Sequence, residues 1–97
     1  MRFGWDERKA AANRIKHGIA FEEAITAFDD PYALVAPDPR HSSASEERTW
    51  LIGESDAGVL VVVFTVREDG EVTRLISARR ASRRERKRYE DSKGIPV

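Results

Sequence analysis

Val59-Leu60-Val61-Val62-Val63-Phe64 is the longest purely apolar run in the chain, and it continues to Val66 with only Thr65 interrupting it. A strand with one face in water alternates apolar and polar side chains. A Val-rich run without that alternation belongs to a strand buried on both faces. Glu68-Asp69-Gly70 then reads as a hairpin turn, and Val72 to Ala78 as the returning strand. The run is also far short of the roughly 20 residues a bilayer-spanning helix needs. Met1-Arg2-Phe3-Gly4-Trp5-Asp6 turns charged at once, without the apolar segment of a secretory signal. There is no cysteine, which excludes disulfides, thiolate metal sites and a Cys nucleophile. A reducing, cytoplasmic setting is the expectation.

The remaining segments fill out a single domain over residues 1–97, as the length predicts. Phe3 to Trp5 reads as a short opening strand. Asp6 offers an N-cap, Glu7 an acid in the first turn, and the helix runs through Ala10-Ala11-Ala12 to Ile15. Lys16 and His17 sit in its last turn, with Gly18 just beyond. Phe21, Ala24, Ile25 and Phe28 recur at helical spacing, so Phe21 to Phe28 is a second helix, stopped by Pro31. Ala33 to Ala36 is a short apolar run, Asp38 to Ser45 a loop, Glu47 to Ile52 a strand, and Ser55-Asp56-Ala57-Gly58 a turn. Ser82-Arg83-Arg84-Glu85 is a capping box opening a last helix that runs through Glu90 and ends by Gly94-Ile95-Pro96. The order β-α-α-β-β-β-β-α predicts an α+β fold, with two N-terminal helices and one C-terminal helix flanking a small antiparallel sheet. Trp5 and Trp50 read as core residues.

Charge is distributed unevenly. The 17 Lys+Arg and 17 Asp+Glu cancel, yet RRASRRERKR at 79–88 holds seven basic residues and one acid, +6 against −6 elsewhere. A zero net charge steers nothing to nucleic acid, whereas a concentrated basic segment can. Thirteen of the 17 basic residues are Arg, whose planar fork suits phosphate. Once Ser82 caps the helix, Arg83, Arg84, Arg86, Lys87 and Arg88 surround its first two turns, and Arg79 and Arg80 leave the strand just before it. A strand-end pair of arginines beside a helix N-terminus makes a pocket suited to a phosphodiester. A solvated helix face, or a dock for an acidic protein, accounts for the same charges.

Histidine has the ordinary pKa best suited to acid–base work near neutrality, and the chain has two, His17 and His41. Each also has a plain structural explanation: His17 precedes a helix C-cap, and His41 lies in the loop Asp38-Pro39-Arg40-His41-Ser42. Their 24-residue separation does not match local metal-ligand spacing, so neither a metal site nor a cofactor is expected. Tyr89 lies four residues after Glu85 on one helix face, placed either to present its phenol to the positive pocket or to pack its ring on the sheet. Arg67, at the end of the long strand, is a candidate to reach the same surface as Arg79. No Gly-rich phosphate loop, Ser-His-Asp order or paired-carboxylate motif appears, which argues against an NTPase or a common hydrolase.

Several segments in combination resemble the BrnT family of bacterial toxins. They are Trp5-Asp6 with Lys9, Asn13 and Lys16-His17-Gly18; Phe21-Glu22-Glu23-Ala24 and Phe28-Asp29-Asp30-Pro31; Asp38 to Ser42; Leu51-Ile52-Gly53; Ile76-Ser77-Ala78-Arg79-Arg80-Ala81; and Arg84-Glu85-Arg86 with Tyr89-Glu90. The resemblance implies a RelE-like fold and an RNA-cutting toxin of a type II toxin–antitoxin pair that blocks translation. It also implies a BrnA-type ribbon-helix-helix antitoxin as partner and operator DNA reached only through the complex; the short apolar run, separately, predicts no membrane association.

The resemblance does not itself identify the catalytic residues. Metal-free RNA cleavage needs a base for the 2′-hydroxyl, an acid for the leaving 5′-oxygen and cations for the phosphorane. Arg79, Arg80 and Arg67 are the expected cations, with Arg83, Arg84, Arg86 and Lys87 as further RNA contacts. Arg stays charged and is a poor base, which leaves His17, His41, Glu85 and Tyr89. Glu85 is engaged in its capping box, and arginines beside Tyr89 would lower its pKa, so Tyr89 and His17 are ranked together. Two other classes of function remain open: a non-catalytic nucleic-acid-binding or regulatory module, and a pure interaction protein.

Overall fold

The computed structural model describes residues 1–40, 42–44, 46–67 and 69–93. His41, Glu68 of the predicted hairpin turn and the Gly94-Ile95-Pro96 helix end lie outside the described residues. The elements follow the predicted order: β1 (Arg2–Gly4), α1 (Glu7–His17), α2 (Phe21–Ala24), β2 (Leu34–Pro37), β3 (Thr49–Ser55), β4 (Gly58–Arg67), β5 (Val72–Arg80) and α3 (Arg83–Ser92). The fold is α+β. Asp6 caps α1 by accepting from the Arg8 N–H at 2.7 Å. At its other end Gly18, with φ 71°, donates its N–H to the Arg14 carbonyl. The predicted second helix stays α-helical only as far as Ala24 and tightens into a 3₁₀ turn over Ile25–Asp29. There the Thr26 hydroxyl bonds back to the Glu23 carbonyl at 2.6 Å, competing with the regular ladder.

The strands form one sheet in the order β1-β5-β4-β3-β2. β2 to β5 pair antiparallel, but β1 lies parallel to β5, with Arg2 opposite Val72 and Gly4 opposite Arg74. The sheet is therefore mixed rather than antiparallel throughout. No hairpin joins β1 to β5, so turn geometry does not set their relative direction.

β4 is buried on both faces, as its sequence requires. On one side Leu60, Val62 and Phe64 meet Leu51, Leu75 and Ala78, together with Ile19, Phe21 and Ala24 of α2 and its approach and Ala27 of the 3₁₀ turn. Edge-on ring contacts run from Phe3 to Phe28 (5.0 Å) and from Phe28 to Phe64 (5.1 Å). β3 presses close to the 3₁₀ turn at Gly53, where an added Cβ would stand 3.0 Å from the Ala27 carbonyl oxygen. On the other side Val61 and Ile52 pack with Tyr89 of α3. Five strands are about 19 Å wide, whereas a helix is about 10 Å across. α3 therefore covers only part of this second face, and a groove is left beside it.

Candidate functional site

The groove has a volume of about 610 Å³. Trp50 and Ile52 of β3, Val61 and Val63 of β4, and Ile76 of β5 line it from the sheet. Arg84, Glu85 and Arg88 approach from α3, Lys16 and His17 from the end of α1, and Asp38, Pro39 and Arg40 from the loop after β2. Arg48, Ser77 and Arg79 complete the lining. Six cationic side chains face two carboxylates here, so the groove attracts anions.

Arg79 enters the groove because β5 is bulged. Val63 pairs with Ser77 but Phe64 pairs with Leu75, which leaves Ile76 without an opposite residue. Side chains alternate across a strand, and one extra residue reverses the alternation beyond it. Leu75 and Ala78 thus both reach the helix-packed core, while Ile76, Ser77 and Arg79 line the groove. Arg79 then forms a two-pronged pair with Glu85, Nη1 to Oε1 at 2.7 Å and Nη2 to Oε2 at 2.8 Å. Glu85 also completes the predicted capping box, accepting from the Ser82 N–H at 2.8 Å and donating its own N–H to the Ser82 hydroxyl at 3.2 Å. The Arg79 guanidinium, helped by Ser82, holds the Glu85 carboxyl down to about 2, and Glu85 in turn raises the pKa of Arg79. Glu85 is therefore an anchor for the arginine rather than a proton carrier near neutrality.

His17 arrives by a different route. β1 covers β5's outer edge only as far as Arg74, and the side chain of Asn13 takes over farther along. Its Nδ2 donates to the Ala78 carbonyl at 2.8 Å and to the Ile19 carbonyl at 3.0 Å, while its Oδ1 accepts the Ala78 N–H at 3.0 Å. These bonds tie α1 to the free edge of β5, and His17, one turn later, lines the groove together with Arg79.

The other predicted site residues are dispersed. Arg80, next along the strand, is directed away from Arg79 and donates to the Ala57 carbonyl at 3.0 Å. Arg67 ends β4 opposite Val72, six positions from the Val61 that pairs with Arg79, about 20 Å away. There it pairs with Glu46. Tyr89 is the correction. It is 1% exposed, its hydroxyl donates to Asp30, and burial together with Asp30 raises its pKa instead of lowering it. The reason is packing: Tyr89 lies on the side of α3 that meets Ile52 and Val61, and its hydroxyl is taken up by Asp30 instead of reaching an arginine. Of the predicted RNA contacts, Arg84 lines the groove; Arg83, Arg86 and Lys87 are exposed on α3 and are not among its described lining residues. Lys87 pairs with Asp91 at 3.0 Å. Lys16, Arg40, Arg48 and Trp50 were not singled out by sequence as site residues, and only the fold gathers them. Arg88 was part of the basic segment read from sequence, and the structure brings it to the groove beside Arg84, four residues earlier on α3. Among the described residues no three His, Cys, Asp or Glu side chains gather as a metal-ligand cluster.

A family model described as "Ribonuclease toxin, BrnT, of type II toxin-antitoxin system" matches residues 5–85. The chain belongs to the BrnT family. It is thus a ribonuclease toxin of a type II toxin–antitoxin system, and an antitoxin is its partner. No curated protein matches it closely enough to add to this. The BrnT match runs from Trp5, ahead of α1, to Glu85, and so includes both His17 and Arg79. Among the described residues, no helix is long and apolar enough to cross a membrane.

Proposed function

We propose that the groove is the RNA-cleavage site and that it works without a metal ion. The observation that carries this reading is the meeting of His17 from α1 with Arg79 from β5 and Arg84 from α3 in one cation-rich groove. In the proposed reaction the 2′-oxygen attacks the adjacent phosphorus and the bond to the 5′-oxygen breaks. The products are a 2′,3′-cyclic phosphate and a 5′-hydroxyl. His17 accepts the 2′-hydroxyl proton, and solvent supplies the proton for the leaving oxygen. Arg79 and Arg84 hold the charge of the phosphorane, with Arg79 kept in place by Glu85. Cleavage of cellular RNA in the cytoplasm then stops translation. The antitoxin is of BrnA type, its ribbon-helix-helix domain carries the complex to operator DNA, and it covers this same groove. The α+β order agrees with a RelE-like toxin.

Incubating the purified chain with RNA in EDTA tests the reading. Cyclic-phosphate ends are expected, with cleavage lost in His17→Ala and Arg79→Ala. Intact RNA with salt-sensitive binding would instead favour a non-catalytic nucleic-acid-binding module. Expression of the chain alone in a bacterium should arrest growth and protein synthesis, and normal growth at good expression would count against a toxin that stops translation.

A further inference from the structure

Trp50 is the residue a simple phosphate pocket does not explain. The other tryptophan, Trp5, packs edge-on against Phe21 at 5.7 Å on the helix-covered side of the sheet. Trp50 instead stays half-buried and lines the groove, with the guanidinium of Arg88 over its ring at 5.4 Å from the centroid. Its neighbours are apolar: Val63 is its partner across the β3–β4 pair, and Ile52 lies two residues along on the same face. The groove therefore has an aromatic, apolar part beside its cationic part. Phosphate has no use for the first, whereas an unpaired nucleobase does, because every base has a face that stacks on an aromatic ring.

The spacing fits. Ile52, Val61 and Arg79 lie in one row across three strands, and Trp50 is two residues from that row. Two strand spacings and two residue rises put the Trp50 and Arg79 backbones about 12 Å apart. The long Arg79 side chain spans much of that distance, and a phosphate with its attached nucleoside can bridge the rest.

Resting on the reading of the groove as the RNA site, we propose that Trp50 is the stacking face for a base flanking the cleaved phosphate. Arg88 occupies that face in the free chain and is displaced from it by the base. The displaced guanidinium remains one helical turn from Arg84 and becomes available to the next phosphate. The substrate class is thereby single-stranded RNA, since a base paired in a helix does not offer its face.

Binding of a short 2′-O-methyl oligonucleotide, which lacks the attacking hydroxyl, tests this without cleavage. The wild type, Trp50→Leu and Trp50→Phe are titrated with that oligonucleotide and with versions made abasic at one position each. Urea midpoints confirm that both variants are folded. Leu should weaken binding of the intact oligonucleotide roughly 5- to 150-fold, the range for one lost base–aromatic stack, and Phe less than Leu. One abasic position should weaken binding to the wild type but not to the Leu variant. Equal binding by wild type and the Leu variant, or an abasic loss of the same size in both, overturns the stacking role and leaves the cleavage-site reading standing. A wild type that binds no oligonucleotide overturns both.

Discussion

Asn13→Ala should be the most informative single substitution for the scaffold that holds the groove. Asn13 is 6% exposed and its amide makes all three of its bonds to backbone, two to Ala78 and one to Ile19. Removing it leaves the Ala78 N–H and two carbonyls without these partners. An unpaired buried polar group costs about 1–3 kcal/mol, with carbonyls toward the lower end. The sum is about 3–5 kcal/mol, a large share of the roughly 5–15 kcal/mol that stabilises a domain. In urea, with a slope of about 1–3 kcal/mol/M, the midpoint should fall by about 2 M without a change in slope. Asn13→Asp keeps the acceptor for the Ala78 N–H but points a carboxylate at two carbonyls, so it should be at least as damaging at neutral pH. Equilibrium unfolding followed by tryptophan fluorescence measures both. A loss under 1 kcal/mol in Asn13→Ala would refute the idea that this side chain fastens α1 to the edge of β5.

Four other outcomes follow from named contacts. Arg79→Ala should abolish RNA cleavage and lower stability through loss of the Glu85 pair, whereas Arg80→Ala, which loses one exposed bond to the Ala57 carbonyl, should leave most activity; equal losses would mean that Arg80 serves the groove as well. Tyr89→Phe should cost about 1–2 kcal/mol for its bond to Asp30 and still cleave RNA, while an inactive, stable variant would restore Tyr89 to the chemistry. Gly53→Ala should destabilise by about 1–3 kcal/mol, because the new methyl meets the Ala27 carbonyl oxygen at 3.0 Å; thermal melts that coincide with the wild type would show that the 3₁₀ turn gives way freely. Glu85 titrates near 2 in the fold against 4.5 ordinarily, so its contribution is complete above about pH 4.5 and is lost as pH falls toward 2. The stability gap between wild type and Glu85→Gln should be no more than about 2 kcal/mol for this partly exposed pair and should shrink between pH 5 and 3; a gap independent of pH would contradict the ion pair.

Much of the fold was legible in short-range signals. The Asp6 cap, Gly18 and the Ser82–Glu85 box set helix ends through bonds between near neighbours, so sequence spacing alone locates them. The unalternating valines likewise located β4 as a strand covered on both sides. The parallel pairing of β1 with β5 was not legible, because its partners are some 70 residues apart and no turn links them.

The candidate site divides in the same way. The sequence by itself determined that a dense basic segment follows the last strand, that His17 ends the first helix, and that no cysteine chemistry is available. It did not distinguish Arg79 from Arg80, nor Tyr89 buried from Tyr89 exposed. Tertiary structure decided both. The bulge at Ile76 reverses which side of the sheet Arg79 faces, and the packing of α3 buries Tyr89 against Asp30 while leaving Arg84 and Arg88 over the groove. Each outcome depends on a half-period of alternation or a fraction of a helical turn, and these are fixed by long-range packing rather than by local propensity.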